Sequence, residues 1–102
     1  GVTKTREVYE KAMETVPEDK VKDIALRFAD LETKLGEVQR ARMIFTYASQ
    51  FCNPQTQVTF WEMWRDFEAR YGNTDTFKEM QRTKRSVQAE FMQVGAGRSG
   101  ER

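Results

Sequence analysis

The chain's 102 residues suffice for one small domain or about three helix-pair repeats, and its 38% hydrophobic, 32% charged and 12% aromatic content describes a folded chain with a modest core and a charged exterior rather than a disordered one. Lysine and arginine number 17 against 16 aspartates and glutamates, a net +1 that argues against nucleic-acid binding driven by overall charge. Histidine is absent and Cys52 is the only cysteine, which removes the usual general base, the histidine-paired nucleophiles, the commonest zinc ligand and any internal disulfide; no catalytic, cofactor or metal site is expected, and an intracellular setting is favoured.

The opening Gly1-Val2-Thr3-Lys4 is not followed by the apolar stretch of a signal peptide, and no apolar run approaches the roughly 20 residues needed to cross a bilayer. A first helix is expected over 3–16, with Val8, Tyr9, Ala12 and Met13 apolar and Pro17 closing it. A second, over 19–35, carries Ile24, Phe28, Leu31 and Leu35 at i, i+4, i+7 and i+11, and ends at Gly36, a residue suited to the left-handed conformation that terminates helices. A third, over 37–51, brings Arg42, Ile44, Phe45 and Ala48, followed by Cys52, read as a small buried residue, and by Pro54. The fourth, over 56–71, has Thr56 as its expected N-cap and an aromatic stripe of Phe60, Trp64, Phe67 and Tyr71, with Gly72 after it. The fifth, over 74–92, starts from Thr74 as cap and has a partial apolar face of Phe77, Met80, Val87 and Phe91; the glycine-rich residues 93–102 are read as a flexible tail. No segment alternates with period two, so strands are not expected.

These elements repeat. Adding 36 to Ile24, Phe28, Leu31, Glu32, Leu35 and Gly36 gives Phe60, Trp64, Phe67, Glu68, Tyr71 and Gly72. The same offset takes Arg6, Val8, Tyr9 and Ala12 to Arg42, Ile44, Phe45 and Ala48, while Pro17 and Pro54 stand 37 apart. A third copy is degraded: Lys78 and Met80 keep the pattern, whereas Gln81 and Lys84 replace the aromatic and the alanine. A period of this size in an all-α chain predicts antiparallel helix pairs stacked into a solenoid.

The motifs narrow the type. Trp61 to Glu68 reads W-x-x-W-x-x-F-E and Ala41 to Phe45 reads A-R-x-I-F, which resemble the two helices of the HAT (half-a-TPR) repeat; Ala25 departs from it, standing where the first tryptophan belongs. Leu26-Arg27-Phe28-Ala29-Asp30, Lys34-Leu35-Gly36-Glu37, Asp66-Phe67-Glu68, Lys78-Glu79-Met80 and Arg85-Ser86-Val87-Gln88-Ala89 are similar to the C-terminal repeats of the Syf-type (crooked-neck-like, XPA-binding) pre-mRNA splicing factors. The resemblance implies a right-handed superhelical array of TPR-like HAT repeats over 1–92. It also implies a nuclear scaffold of the spliceosome's Prp-nineteen-associated complex, partners such as a crooked-neck-like scaffold and intron-binding helicase components, and a link to DNA repair.

Site residues divide in two. Phe28, Leu31, Glu32, Gly36, Arg42, Ile44, Phe45, Trp61, Trp64, Phe67, Glu68 and Gly72 are read as the repeat's structural motif, with the aromatic stripe as core. Glu32 is expected to pair with Arg42, and Glu68 with Lys78. Either Trp61 or Met63 lies off the stripe, and whichever faces outward is the better contact. Lys78, Arg82, Lys84 and Arg85 are the candidate contact with a partner or with RNA; the last helix thus carries the competing reading, an RNA-binding repeat module. The first helix lacks a preceding neighbour, so the chain is expected to self-associate through it.

Overall fold

The computed structural model describes the backbone of residues 1–101 and the side chains of residues 1–93, and all of its regular structure is helical: α1 Val2–Thr15, α2 Glu18–Lys34, α3 Val38–Ser49, α4 Val58–Tyr71 and α5 Thr74–Glu101. The expected tail over 93–102 falls, apart from Gln93, outside the residues with described side chains. The chain divides into two compact units, Gly1–Phe51 and Cys52–Arg102.

In the first unit α2 packs against both α1 and α3. Pro17 occupies the N-cap of α2 with the extended backbone it prefers, and Glu18 and Asp19 follow in the first turn, where negative charge complements the helix dipole. At the other end Gly36 has φ 77°, its N–H donates to the Thr33 carbonyl at 3.0 Å, and the Glu37 N–H donates to the Glu32 carbonyl at 2.8 Å. This left-handed termination is the one expected for Gly36, and it turns the chain directly into α3. The buried face of α2 is Val21, Ala25, Phe28, Ala29 and Glu32. It is rotated from the expected stripe: Phe28 is shared, but Ile24 and Leu31 are only half-buried and Leu35 is exposed. A helix flanked on two sides buries a wider arc, and Ala25 and Ala29 provide the small surfaces that close approach requires. Tyr9 of α1 stacks on Phe28 with ring centroids 5.1 Å apart and planes 7° from parallel.

In the second unit a turn built on Asn53 precedes α4: its side-chain Oδ1 accepts the Gln55 N–H at 3.0 Å, and its carbonyl accepts from Thr56 and Gln57. The Thr56 N–H belongs to that turn, and the N-cap of α4 is Gln57, one residue after the expected Thr56. α4 buries Phe60, Trp61, Trp64, Phe67 and Glu68 and packs against α5. Tyr71, expected on the stripe, is exposed. The cap of α5 is Asn73 rather than Thr74. Asn73 Oδ1 accepts the Thr76 N–H at 2.9 Å and Thr76 Oγ1 accepts the Asn73 N–H at 2.8 Å, a reciprocal capping box that places Thr74 as the first helical residue. Met80 is buried, while Phe77, Val87 and Phe91 are half-buried, the partial apolar face read from the sequence. Among the described residues no helix is long and apolar enough to cross a membrane, and no group of metal-ligating side chains converges.

Candidate functional site

The two repeat glutamates are the most completely buried charged residues, Glu32 at 0% and Glu68 at 1% exposure. Such burial is tolerated only when the oxygens are fully occupied. Glu32 accepts two hydrogen bonds from one guanidinium, Arg6 Nε to Oε2 at 2.7 Å and Arg6 Nη2 to Oε1 at 2.8 Å. The expected partner, Arg42, instead donates to Gln39 Oε1 at 2.9 Å. The correction has a simple cause: Arg6 and Arg42 hold the same register, and the helix that lies against this side of α2 with an arginine at hand is the preceding one, α1. The Glu32 hydrogen bond pushes the Arg6 pKa above its already high ordinary value, against an opposing desolvation, so the guanidinium stays charged. Glu68 Oε2 accepts the indole N–H of Trp64 at 3.0 Å, and Lys78, its expected partner, makes no ion pair with it. Both carboxylates are engaged inside the fold: Glu32 ties α1 to α2, and Glu68 is bonded to a residue of its own helix.

Trp61 is buried and Met63 exposed, which settles which of the two faces outward. The Trp61 indole N–H donates to the Cys52 carbonyl at 2.9 Å, pinning the loop before α4 to the helix, and its ring lies 5.4 Å from that of Trp64. Cys52 is fully buried, as read from the sequence. Burial of each such aromatic contributes roughly 1.5–3 kcal/mol, so Phe28, Trp61, Trp64 and Phe67, like Ile44 and Phe45 of α3, belong to the core. Gly72 differs from Gly36. Its φ of −98° is open to any residue, but a Cβ there would meet Thr76 Oγ1, Glu68 Oε1 and, at 2.8 Å, the Glu68 carbonyl. It is glycine because the capping box and the buried carboxylate close over it.

Among the described residues the accessible surface includes three depressions, each within one unit. In the first unit a groove of about 170 Å³ is lined by Met13, Phe28, Met43, Ile44 and Tyr47, with Glu10 and Arg40 at its rim. Its α3 wall is unusually bare: Met43 is 71% and Tyr47 38% exposed. In the second unit Lys78 borders a hollow beside Gly72, Asn73 and Phe77. A separate cleft of about 400 Å³ between α4 and α5 has Trp61 and Met80 in its lining together with Arg65, Lys84, Arg85 and Glu62. The basic run of the sequence is therefore not one patch. Lys84 and Arg85 share a cleft with Arg65, Lys78 lies in another depression, and Arg82 is paired with Glu79 one turn away. Arg65 and the Met43–Tyr47 stripe were not singled out from the sequence. Arg65 sits inside the W-x-x-W-x-x-F-E motif and reads as part of it, whereas Met43 and Tyr47, four apart on one face, were a legible signal.

Comparison with known proteins places this geometry. A profile described as the pre-mRNA-splicing factor Syf1/CRNKL1 C-terminal HAT repeat matches residues 1–96. The chain is 53% identical over 91 residues to pre-mRNA-splicing factor SYF1 of Homo sapiens, covering 89% of this chain and 11% of that protein. It is likewise 53% identical over 91 residues to pre-mRNA-splicing factor syf1 of Aspergillus fumigatus, with the same two coverages. To pre-mRNA-splicing factor cwf3 of Schizosaccharomyces pombe it is 54% identical over 92 residues, covering 89% of this chain and 12% of that protein. The chain thus spans about a tenth of the length of the curated relatives it matches.

Proposed function

From the premise that this chain belongs to the Syf1/CRNKL1 C-terminal HAT-repeat family, we propose that it is a scaffold module for protein–protein contacts in pre-mRNA splicing. The observation that carries the reading is how the repeat's polar chemistry is used. Both buried carboxylates and both indole N–H groups are engaged inside the fold, so what the chain offers to other molecules is shaped helical surface. A surface of that kind recognises side chains of a partner by packing and charge. On this reading the module works in the nucleus, within the Prp-nineteen-associated complex, against a crooked-neck-like scaffold and intron-binding helicase components, and the link to DNA repair would follow from the same contacts.

Direct RNA binding by α5 is the second reading, and Lys84 with Arg85 in one cleft is the observation that favours it. Capture experiments separate the two. The chain immobilised as bait in nuclear extract is expected to retain splicing proteins equally with and without RNase. Loss of all partners on RNase treatment would transfer the function to RNA.

A further inference from the structure

The α4–α5 cleft gathers three cations, Arg65, Lys84 and Arg85, against a single carboxylate, Glu62. Lys84 and Arg85 are exposed, and among the described residues neither makes an ion pair. The carboxylate nearest Arg65 is that of its chain neighbour Asp66, 3.6 Å away on a side chain that is itself 74% exposed, a weak claim on the guanidinium. Beneath these charges lie Trp61 and Met80, and the long stems of the arginines and the lysine add aliphatic wall. A cluster of weakly paired positive charge on aliphatic stems is the electrostatic and steric complement of carboxylates flanking an apolar side chain.

The cleft's own aromatic decides between two polyanionic ligands. Proteins that hold single-stranded nucleic acid stack bases on exposed aromatic faces. Trp61 offers no such platform: it is 2% exposed, its ring lies against Trp64, and its N–H is engaged by the Cys52 carbonyl. The volume, about 400 Å³, falls in the range of roughly 300–1,000 Å³ typical of clefts that enclose a small group, which suits a few side chains of a peptide. We infer that this cleft docks an acidic segment of a partner protein, its carboxylates paired with Arg65, Lys84 and Arg85 and one apolar side chain lying along the aliphatic stems of those residues. The inference rests on the protein-interaction reading above and names the chemistry of one partner.

The test uses the whole 102-residue chain and fluorescence anisotropy of a short labelled peptide in which leucines are flanked by glutamates, beside the same peptide with lysine for every glutamate and a single-stranded oligouridylate. The acidic peptide is expected to bind at low salt and the lysine peptide not to. The double change Lys84→Glu with Arg85→Glu should weaken the acidic peptide by about tenfold or more and admit the lysine peptide. A gain of binding with the helical circular dichroism spectrum retained separates charge reversal from unfolding; Lys84→Gln with Arg85→Gln, expected to lose the acidic peptide without gaining the basic one, provides the milder control. Equal binding of both peptides to the unaltered chain overturns the inference. So does tighter binding of oligouridylate that the same double change abolishes, which would make the cleft a phosphate site. If the chain still captures splicing proteins after RNase while binding no acidic peptide, only the cleft assignment fails; if it captures none, the interaction reading itself fails.

Discussion

At the scale of single residues, identical letters in the repeat serve different physics. Gly36 and Gly72 stand one period apart, yet Gly36 is needed for its positive φ and has open space around it, while Gly72 has an ordinary φ and no room. Substitution separates the two causes. Gly36→Ala is expected to cost about 1–2 kcal/mol of stability through the left-handed backbone alone, and Gly36→Asn less, because asparagine tolerates that conformation. At Gly72 asparagine should be no better than alanine, and both should cost about 1–3 kcal/mol, as overpacking does, since the clash with Glu68 and Thr76 begins at Cβ. Urea denaturation of the four variants reads this directly; a rescue by asparagine at Gly72 as large as that at Gly36 would contradict the steric account. At the paired glutamates, Arg6 donates two hydrogen bonds to Glu32, and the Trp64 indole N–H donates one to Glu68.

At the scale of elements, boundaries are set by caps, and α5 has the most explicit one. The Asn73–Thr76 capping box satisfies two otherwise orphan N–H groups at once. Asn73→Ala is expected to lower stability by about 1 kcal/mol, and Asn73→Asp to be neutral or better, because it keeps the acceptor and adds negative charge at a helix N-terminus. Combined with Thr76→Val, the loss should fall short of the sum of the single losses, as the two side chains serve one motif; strict additivity in thermal melts would argue that they act separately. This element also shows what the sequence makes legible. The helices, their order and their period follow from apolar spacing and from glycine and proline positions, and each structural helix overlaps its predicted span. The caps of α4 and α5 were missed because Thr56 and Thr74 are good cap residues by type, while the choice was made by asparagines whose side chains close local turns. The buried arc of α2 was rotated because periodicity within one helix does not report how many neighbours it has. The partner of Glu32 was misassigned for a related reason: Arg6 and Arg42 are equivalent by repeat, and only the packing of α1 on α2 chooses between them. The basic run looked continuous because it is close in sequence, whereas helical geometry sends its members into separate depressions.

At the scale of the whole molecule, the first helix leaves open a position that the repeat elsewhere buries. The positions of α3 that are buried, Ile44 at 7% and Phe45 at 6% exposure, correspond by the period to Val8 and Tyr9 of α1, where Val8 is 64% exposed. No residue of α1 is fully buried, and among the described residues α1 packs against α2. A repeat stabilised by neighbours on both sides therefore presents at α1 a face built for a neighbour, and a second copy of the chain is the occupant always available in a purified sample. The expected outcome is reversible self-association: sedimentation velocity should show a weight-average coefficient that rises with concentration. Val8→Glu, which places a charge on that face without touching the Tyr9–Phe28 stack or the Arg6–Glu32 pair, should hold the chain monomeric over the same range. The same variant should leave acidic-peptide binding at the α4–α5 cleft unchanged, because Val8 and the cleft residues lie in different units. A chain that sediments as a monomer at every concentration would show that the exposed face of α1 is too small and too interrupted by charge to associate by itself, and a self-association that survives Val8→Glu would assign it to another surface, for which the bare Met43–Tyr47 wall of the first unit is the next candidate.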